Sequence, residues 1–198
     1  DAAAALAIDA KTGQILYSQN INQKLPIASI SKLLTVMVIE DEISQHQLSW
    51  NTKVKINQKV AAIADDPEYS NVSLTQGQSY TVSDLVKAAL IKSADGATVA
   101  LAGALGDSTA QFNQKLQKKA RQIGIKDATI VNSVGLTNSQ LKDLAVKNID
   151  DNAENKMSAK DVGKMAAYLV NHYPDLLKMP VRPHFNWMDR PSTISTKC

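Results

Sequence analysis

A loop that runs directly into an apolar helix is the feature that most constrains this chain. Residues 26–32 read Pro-Ile-Ala-Ser-Ile-Ser-Lys, and Pro26 both fixes its own backbone and disfavours a helix in the residue before it. The residues after this loop are apolar at positions 33, 34, 37 and 38, which is the pattern of a buried helix face. Ser29 and Lys32 are therefore predicted to lie on one face, a turn apart, at the start of a helix.

This pair of side chains has the chemistry of a serine nucleophile with its own base. A helix that begins with apolar residues buries the amine of Lys32, and burial disfavours the charged form of a lysine. A neutral lysine can accept the serine proton, and the serine oxygen can then attack a carbonyl carbon. The alternative interpretation is that Ser29 only caps the helix, and these two residues alone leave both interpretations open.

The spacing of this pair is weak evidence by itself. A chain with 16 serines and 19 lysines contains about one or two Ser-x-x-Lys matches by chance. A second match, Ser139 with Lys142, stands in a polar stretch without an apolar helix behind it, and we interpret it as a surface loop. Context therefore favours Ser29 and Lys32.

The composition excludes several other classes of protein. The 198 residues are 44% hydrophobic and 21% charged, as in an ordinary globular protein of one domain or two packed subdomains. No apolar run is long enough to predict a membrane span. The single cysteine and three scattered histidines predict neither a disulfide framework nor a metal site, and no cofactor is expected. The net charge of +3 is spread along the chain, and its densest basic group, 115–121, is interpreted as a solvated helix face, so no nucleic-acid partner is expected.

Alternating stretches and capping signals predict the other elements. Residues 4–8 and 14–17 alternate as strands on either side of a turn at 9–13, which predicts a hairpin. Two capping boxes, at 81–84 and 158–161, each predict the start of a helix. The remaining predicted elements are short strands within 48–80, a short strand or extended piece over 128–131 and a loop-like segment over 132–156. Helices are predicted over about 29–42, 85–91, 97–105, 109–123 and from 159 to before Pro174.

A second motif makes a family resemblance specific. Residues 93–96 read Ser-Ala-Asp-Gly and follow a capped helix. With this motif the chain resembles the serine-type D-alanyl-D-alanine carboxypeptidases, the low-molecular-mass penicillin-binding proteins, which carry Ser-x-x-Lys, Ser-x-Asn and Lys-Thr-Gly in this order. The resemblance extends over roughly residues 5–178. The stretches that match the family pattern are 11–16, 26–35, 90–95, 135–136 and 157–161.

The resemblance implies a fold and a domain organisation. The implied class is α/β, similar to penicillin-binding proteins and β-lactamases, with a helical region packed on an antiparallel sheet that is incomplete here. Residues 1–28 are then the N-terminal hairpin and loop of the α/β part, and 29–178 are a mostly helical region that carries both motifs. Residues 179–198 are expected to be an irregular tail.

The resemblance also implies roles for individual residues. Ser29 resembles the acylated nucleophile, Lys32 the base that takes its proton, and Ser93 the hydroxyl that relays a proton to the leaving amine. The implied activity removes the terminal D-alanine from peptidoglycan peptides ending in D-Ala-D-Ala, through an acyl-enzyme, with β-lactam antibiotics as inhibitors. The implied location is the bacterial cell wall, on the outer face of the cytoplasmic membrane or secreted.

Two departures from the family pattern bear on activity. Asp95 stands where the family has the asparagine that holds the substrate amide, and an ionised aspartate only accepts hydrogen bonds and favours the ammonium form of Lys32. The only Lys-Thr-Gly, at 11–13, lies in the predicted hairpin turn. The third motif would begin about where the chain ends. We therefore expect a truncated form, with an unpaired edge on the hairpin and membrane association only through a segment not present here.

Two other functions stay open on the sequence. The first is a family-derived module that binds cell-wall peptide or a partner without turnover. The second is a β-lactamase, which would need a deacylating glutamate after the second motif. Glu154 is the only glutamate after Glu68, and its surroundings do not resemble that site.

Overall fold

The computed structural model describes residues 2–179, and the predicted irregular tail lies outside this range except for Met179. The strands are β1 (Ala5–Ile8), β2 (Ile15–Gln19), β3 (Lys24–Pro26), β4 (Lys53–Lys55), β5 (Ser79–Thr81) and β6 (Lys156–Ser158). The helices are α1 (Ser31–Ser44), α2 (Gln58–Ala64), α3 (Val82–Ile91), α4 (Asp95–Ala102), α5 (Thr109–Ile123), α6 (Ala159–His172) and α7 (Pro174–Leu177). Two 3₁₀ segments, Ala28–Ile30 and Ser139–Leu144, complete the described elements.

Helix α1 lies at the centre of the molecule. It contacts α3, α4, α5 and α6, and its residues 34–39 are all buried. The sequence predicts one buried face on this helix. The structure buries more than that face, because neighbouring helices surround α1 and do not leave one side to water. Lys32, close to its start, is only 2% exposed. The central position of α1 is what removes this amine from solvent.

The predicted N-terminal hairpin is confirmed. β1 and β2 pair antiparallel, and the turn between them is closed by the Asp9 carboxylate, which accepts bonds from the backbone of Lys11 and Thr12. Gly13 follows with φ +73, which glycine adopts without strain. The Lys-Thr-Gly tripeptide is thus a hairpin turn. Every residue of β2 is exposed, and no described strand pairs with its free edge.

Local signals predict most of the helices. The capping residues Thr81 and Ser158 accept from the backbone N–H three residues on, as predicted for α3 and α6. Helix α5 ends at Gly124 in the left-handed conformation. Helices α1 and α4 are shifted from their predicted bounds, α1 by two residues and α4 to Asp95–Ala102 instead of 97–105. Helix α2 forms where only strands and loops are predicted, and the short α7 follows the point where the last helix is predicted to end. No helix among residues 2–179 has the length and apolar character to cross a bilayer.

The basic group on α5 is not a fully solvated face, contrary to the prediction. Lys119 is 3% exposed, and its Nζ lies 2.6 Å from Asp41 Oδ2 on α1. The same amine lies over the rings of Tyr168 and Tyr173, 5.3 and 5.1 Å from their centroids. Charge and aromatic contacts together compensate for the burial of this lysine.

A short strand pair joins the nucleophile loop to a distant part of the chain. β3 pairs antiparallel with β6, so that Lys24 to Pro26 lie beside Lys156 to Ser158. The Ile27 N–H continues this contact by donating to the Asn155 carbonyl at 3.1 Å. The residues just before Ser29 are therefore fixed by residues about 130 positions later in the sequence.

Candidate active site

Ser29 lies in the 3₁₀ turn between β3 and α1. It is an exposed residue, whereas Ile27 and Ser31 on either side are buried. Helix α1 is preceded by Ile30 and has no side-chain cap, so Ser29 does not serve as a helix cap. The alternative interpretation of this serine is therefore wrong. Its hydroxyl is free to face a neighbouring side chain.

Three oxygen atoms surround the amine of Lys32. Its Nζ lies 2.7 Å from Ser29 Oγ, 3.2 Å from Ser93 Oγ and 2.7 Å from Asp95 Oδ1. An ammonium group has three N–H donors, so this arrangement satisfies the charged form of Lys32 completely. The structure brings all four predicted site residues together around one nitrogen.

The connection between α3 and α4 delivers Ser93 and Asp95 to this amine. The Ala94 N–H donates to the Ala88 carbonyl at 3.1 Å, which ends α3 and turns the chain. Ser93 has φ +53 and Asp95 begins α4. Ala28, directly before Ser29, also has a positive φ, of +41. Such backbone conformations cost a non-glycine residue energy and cluster at functional sites.

With this geometry in place, comparison with known proteins identifies the family. The family model described as D-alanyl-D-alanine carboxypeptidase, Peptidase S11, matches residues 1–197. This chain belongs to the Peptidase S11 family. Among curated members, it is 31% identical over 137 residues to the D-alanyl-D-alanine carboxypeptidase DacF of Bacillus subtilis, covering 69% of this chain and 34% of that protein.

Solved structures of related proteins share the fold. A peptidoglycan synthesis regulatory factor, PBP3, from Streptococcus pneumoniae has a TM-score of 0.88 and 34% identity, covering 94% of this chain and 52% of that one. Penicillin-Binding Protein D2 from Listeria monocytogenes, in its cefotaxime-bound form, has a TM-score of 0.73 and 29% identity, covering 92% and 67%. The chain spans about a third to a half of the length of DacF and PBP3. The fold is that of penicillin-binding proteins, as expected.

Asp95 differs from the family pattern, and its surroundings bind it to Lys32. It is 4% exposed, and its backbone and carboxylate both contact the Ser70 backbone. Burial raises the pKa of the Asp95 carboxyl, while the hydrogen bond and charge of Lys32 and the Ser70 N–H act against this rise. The described contacts of Asp95 are thus with protein groups. Its predicted contact with a substrate amide stays a prediction.

The raised pKa of Asp95 predicts a pH dependence of stability. The folded protein keeps the Asp95 proton at pH values where an unfolded chain, with the ordinary aspartate pKa of 3.8, has released it. Its contribution is therefore fully present below that pH and is lost as the pH rises through the raised pKa. We expect the free energy of unfolding of wild type, relative to Asp95→Asn, to fall as the pH rises from the ordinary aspartate pKa of 3.8 through the raised pKa of Asp95. Urea unfolding of both proteins checks this, and a difference that stays constant or grows contradicts it.

The second Ser-x-x-Lys pair is not an active site. Lys142 Nζ lies 2.7 Å from Asp66 Oδ2 and 2.9 Å from the Ala62 carbonyl, in a surface ion pair. The Ser139 hydroxyl contacts Thr137 instead, at 3.3 Å. Its interpretation as part of the surface is confirmed. This serine therefore serves as a matched control for Ser29.

Asn132 and Asn155 are the polar residues near the site that the sequence did not single out. Both stand in the loop-like segment 132–156 and are buried, 1% and 2% exposed. No local pattern marks them, because their partners come from residues far away in the sequence. The burial of these two asparagines is the feature that marks them, and burial is known only from the folded structure.

Proposed function

We propose that this protein is a serine D-alanyl-D-alanine carboxypeptidase that acts on peptidoglycan stem peptides through an acyl-enzyme on Ser29. The observation that supports this most directly is the position of Lys32 Nζ, within hydrogen-bond distance of both Ser29 Oγ and Ser93 Oγ. A base that contacts the nucleophile and a second hydroxyl can take a proton from one and pass it to the other. Membership of the Peptidase S11 family supports the proposed substrate class.

The acylation step uses all three of these groups. The amine form of Lys32 takes the hydroxyl proton while Ser29 Oγ forms a bond to the carbonyl carbon of the penultimate D-alanine. The peptide C–N bond then breaks, and the leaving D-alanine amine receives the proton from Lys32 through the Ser93 hydroxyl. Water attacks the resulting ester, which releases the shortened peptide as a carboxylic acid and restores Ser29.

A β-lactam presents an amide carbonyl to the same serine. Attack by Ser29 Oγ opens the ring C–N bond, and the ring nitrogen stays attached to the acyl group instead of leaving. The Listeria relative has been solved in a cefotaxime-bound form, which supports β-lactams as ligands of this fold. Because peptidoglycan lies outside the cytoplasmic membrane, we place the protein there, in the cell wall.

Mass spectrometry after incubation with a β-lactam tests this proposal. We expect the protein to gain the mass of one antibiotic molecule, attached to the peptide that contains Ser29. Ser29→Ala is expected to remove this label completely, because of the two described hydroxyls at Lys32 Nζ that of Ser29 is the nearer, at 2.7 Å against 3.2 Å for Ser93, and Ser93 serves as the proton relay. Ser139→Ala should label like the wild type, since this residue lies in the surface segment. Equal labelling of wild type and Ser29→Ala contradicts the proposal.

A second candidate function is a module of the same family that binds cell-wall peptide without turnover. The ion pair between Asp95 and Lys32 favours it, because a carboxylate at 2.7 Å stabilises the ammonium form that cannot act as a base. Release of D-alanine from a peptide ending in D-Ala-D-Ala separates the two candidates. Measurable release contradicts the binding module, and its absence together with peptide binding contradicts the carboxypeptidase.

A further inference from the structure

Ser29 lies between two residues, Ile27 and Ser31, that are both hydrogen-bonded to Asn155. Two positions before it, the Ile27 N–H donates to the Asn155 carbonyl at 3.1 Å. Two positions after it, Ser31 Oγ accepts from Asn155 Nδ2 at 2.8 Å. Asn155 is 2% exposed and directly precedes β6. A single buried residue therefore holds both sides of the turn that presents the nucleophile.

The other bonds of Asn155 fix a second segment beside this turn. Its Oδ1 accepts from the backbone N–H groups of Val131 and Asn132, at 2.6 and 3.1 Å. Its Nδ2 donates a second bond to the Asn132 carbonyl, at 2.8 Å. Both donors and both acceptor sites of the amide are used, so its orientation is fully determined. A side chain without this set of donors and acceptors cannot replace it.

The segment that Asn155 holds, residues 131–135, contacts Ala28, the residue before Ser29. Asn132 Oδ1 accepts from the N–H groups of Val134 and Gly135, at 3.0 and 2.7 Å. This bend brings Gly135 so close to the nucleophile turn that a Cβ added there would lie 1.9 Å from the Ala28 carbonyl oxygen. Ala28 is the residue that holds a positive φ. The contact therefore supports the unusual backbone from which Ser29 projects.

We propose that Asn155 is a positioning residue for the nucleophile, which holds Ser29 Oγ at the distance from Lys32 that acylation needs. The kinetic part of this proposal rests on the proposed function. Misplacement of a reacting atom by about 1 Å can cost on the order of 100-fold in rate, so a residue that fixes the turn can strongly affect the acylation rate. The same network also stabilises the fold, and the experiment must separate these two effects.

Asn138 offers a matched control for Asn155. It is also 2% exposed, and its side chain makes three hydrogen bonds, accepting from the Val146 N–H and donating to the carbonyls of Val146 and Ile149. All of these partners lie within its own loop. Alanine at either position removes a buried amide with several bonds, but only Asn155 contacts the nucleophile turn.

The first experiment measures acylation by a β-lactam, separating the binding constant of the antibiotic from the rate of acyl transfer. We expect Asn155→Ala to lower the acylation rate about 10- to 100-fold with little change in binding. Asn138→Ala is expected to lose stability but to keep its acylation rate. Ser31→Ala, which removes only one bond of the network and should fold, is expected to show a smaller loss in the same direction. Equal acylation rates in folded Asn155→Ala or Ser31→Ala and the wild type overturn the proposal.

A second measurement tests the proposal and does not depend on catalytic activity. Amide hydrogen exchange over residues 27–31 should become faster in Asn155→Ala and Ser31→Ala, and stay at the wild-type rate in Asn138→Ala. Unchanged exchange in this segment overturns the positioning role. If the wild type is not acylated at all, the proposed function fails, and the exchange measurement still tests whether Asn155 holds the turn.

Discussion

Replacing Lys32 with methionine is expected to remove acylation of Ser29 and to destabilise the fold at the same time. Lys32 Nζ is the described basic group within 2.7 Å of Ser29 Oγ, and a positioned base contributes about 10²- to 10⁴-fold to such a step. The variant also leaves the Asp95 carboxylate buried without its partner, and breaking a buried pair in this way costs about 3–5 kcal/mol. β-Lactam labelling and urea unfolding measure the two effects.

A double variant separates catalysis from stability. Lys32→Met with Asp95→Asn removes both charges, so most of the lost free energy of unfolding should return while acylation stays absent. Two outcomes contradict this account of the site. One is acylation at the wild-type rate in either variant, which would show that Lys32 is not the base. The other is a double variant that is no more stable than Lys32→Met, which would show that the unpaired Asp95 charge does not cause the loss of stability.

The elements that could be predicted from the sequence are those with complete local signals. Helix α5 was predicted over 109–123 because its apolar residues repeat on one face and Gly124 ends it. The hairpin likewise has its turn residues between two alternating stretches. Helix α2, Gln58–Ala64, was missed because seven residues are too few to show a helical period, although Asn57 caps it. Short elements take their stability from packing, which the local sequence does not contain.

The same distinction applies to the candidate site. Ser29 and Lys32 are three residues apart, so helical geometry alone predicts their contact. Ser93 is 61 residues from Lys32, and only the order of family motifs connected them. The positions of Asn155 and Lys119 could not be predicted, because each is buried by partners from several distant segments. Polar residues in cores are specified by complementary hydrogen bonds, and these are known only once the segments are in contact.

Asp95→Asn is expected to leave acylation unchanged at acid pH and to make it faster than in the wild type above the pKa of Asp95. In the wild type, the free amine of Lys32 forms when its proton passes to Asp95, 2.7 Å away. Above that pKa the ionised carboxylate stabilises the ammonium form of Lys32 and so opposes formation of the free amine. In the variant the neutral amide at this position stabilises the ammonium form of Lys32 less than a carboxylate does, so the free amine forms more readily. The substitution therefore accelerates acylation at pH values above the pKa of Asp95.

The two profiles should meet at acid pH for a physical reason. Below the pKa of Asp95, both proteins carry a neutral group beside the ammonium of Lys32, so the amine forms equally rarely in each. Acylation rates from about pH 4 to pH 9, with a β-lactam stable over this range, measure both curves. Asp161→Asn is the matched control, since Asp161 is also a buried carboxylate in the first turn of a helix, 3.2 Å from Lys164. It should keep the wild-type profile. Parallel curves for wild type and Asp95→Asn, or slower acylation in the variant, would show that Asp95 does not hold the proton of Lys32.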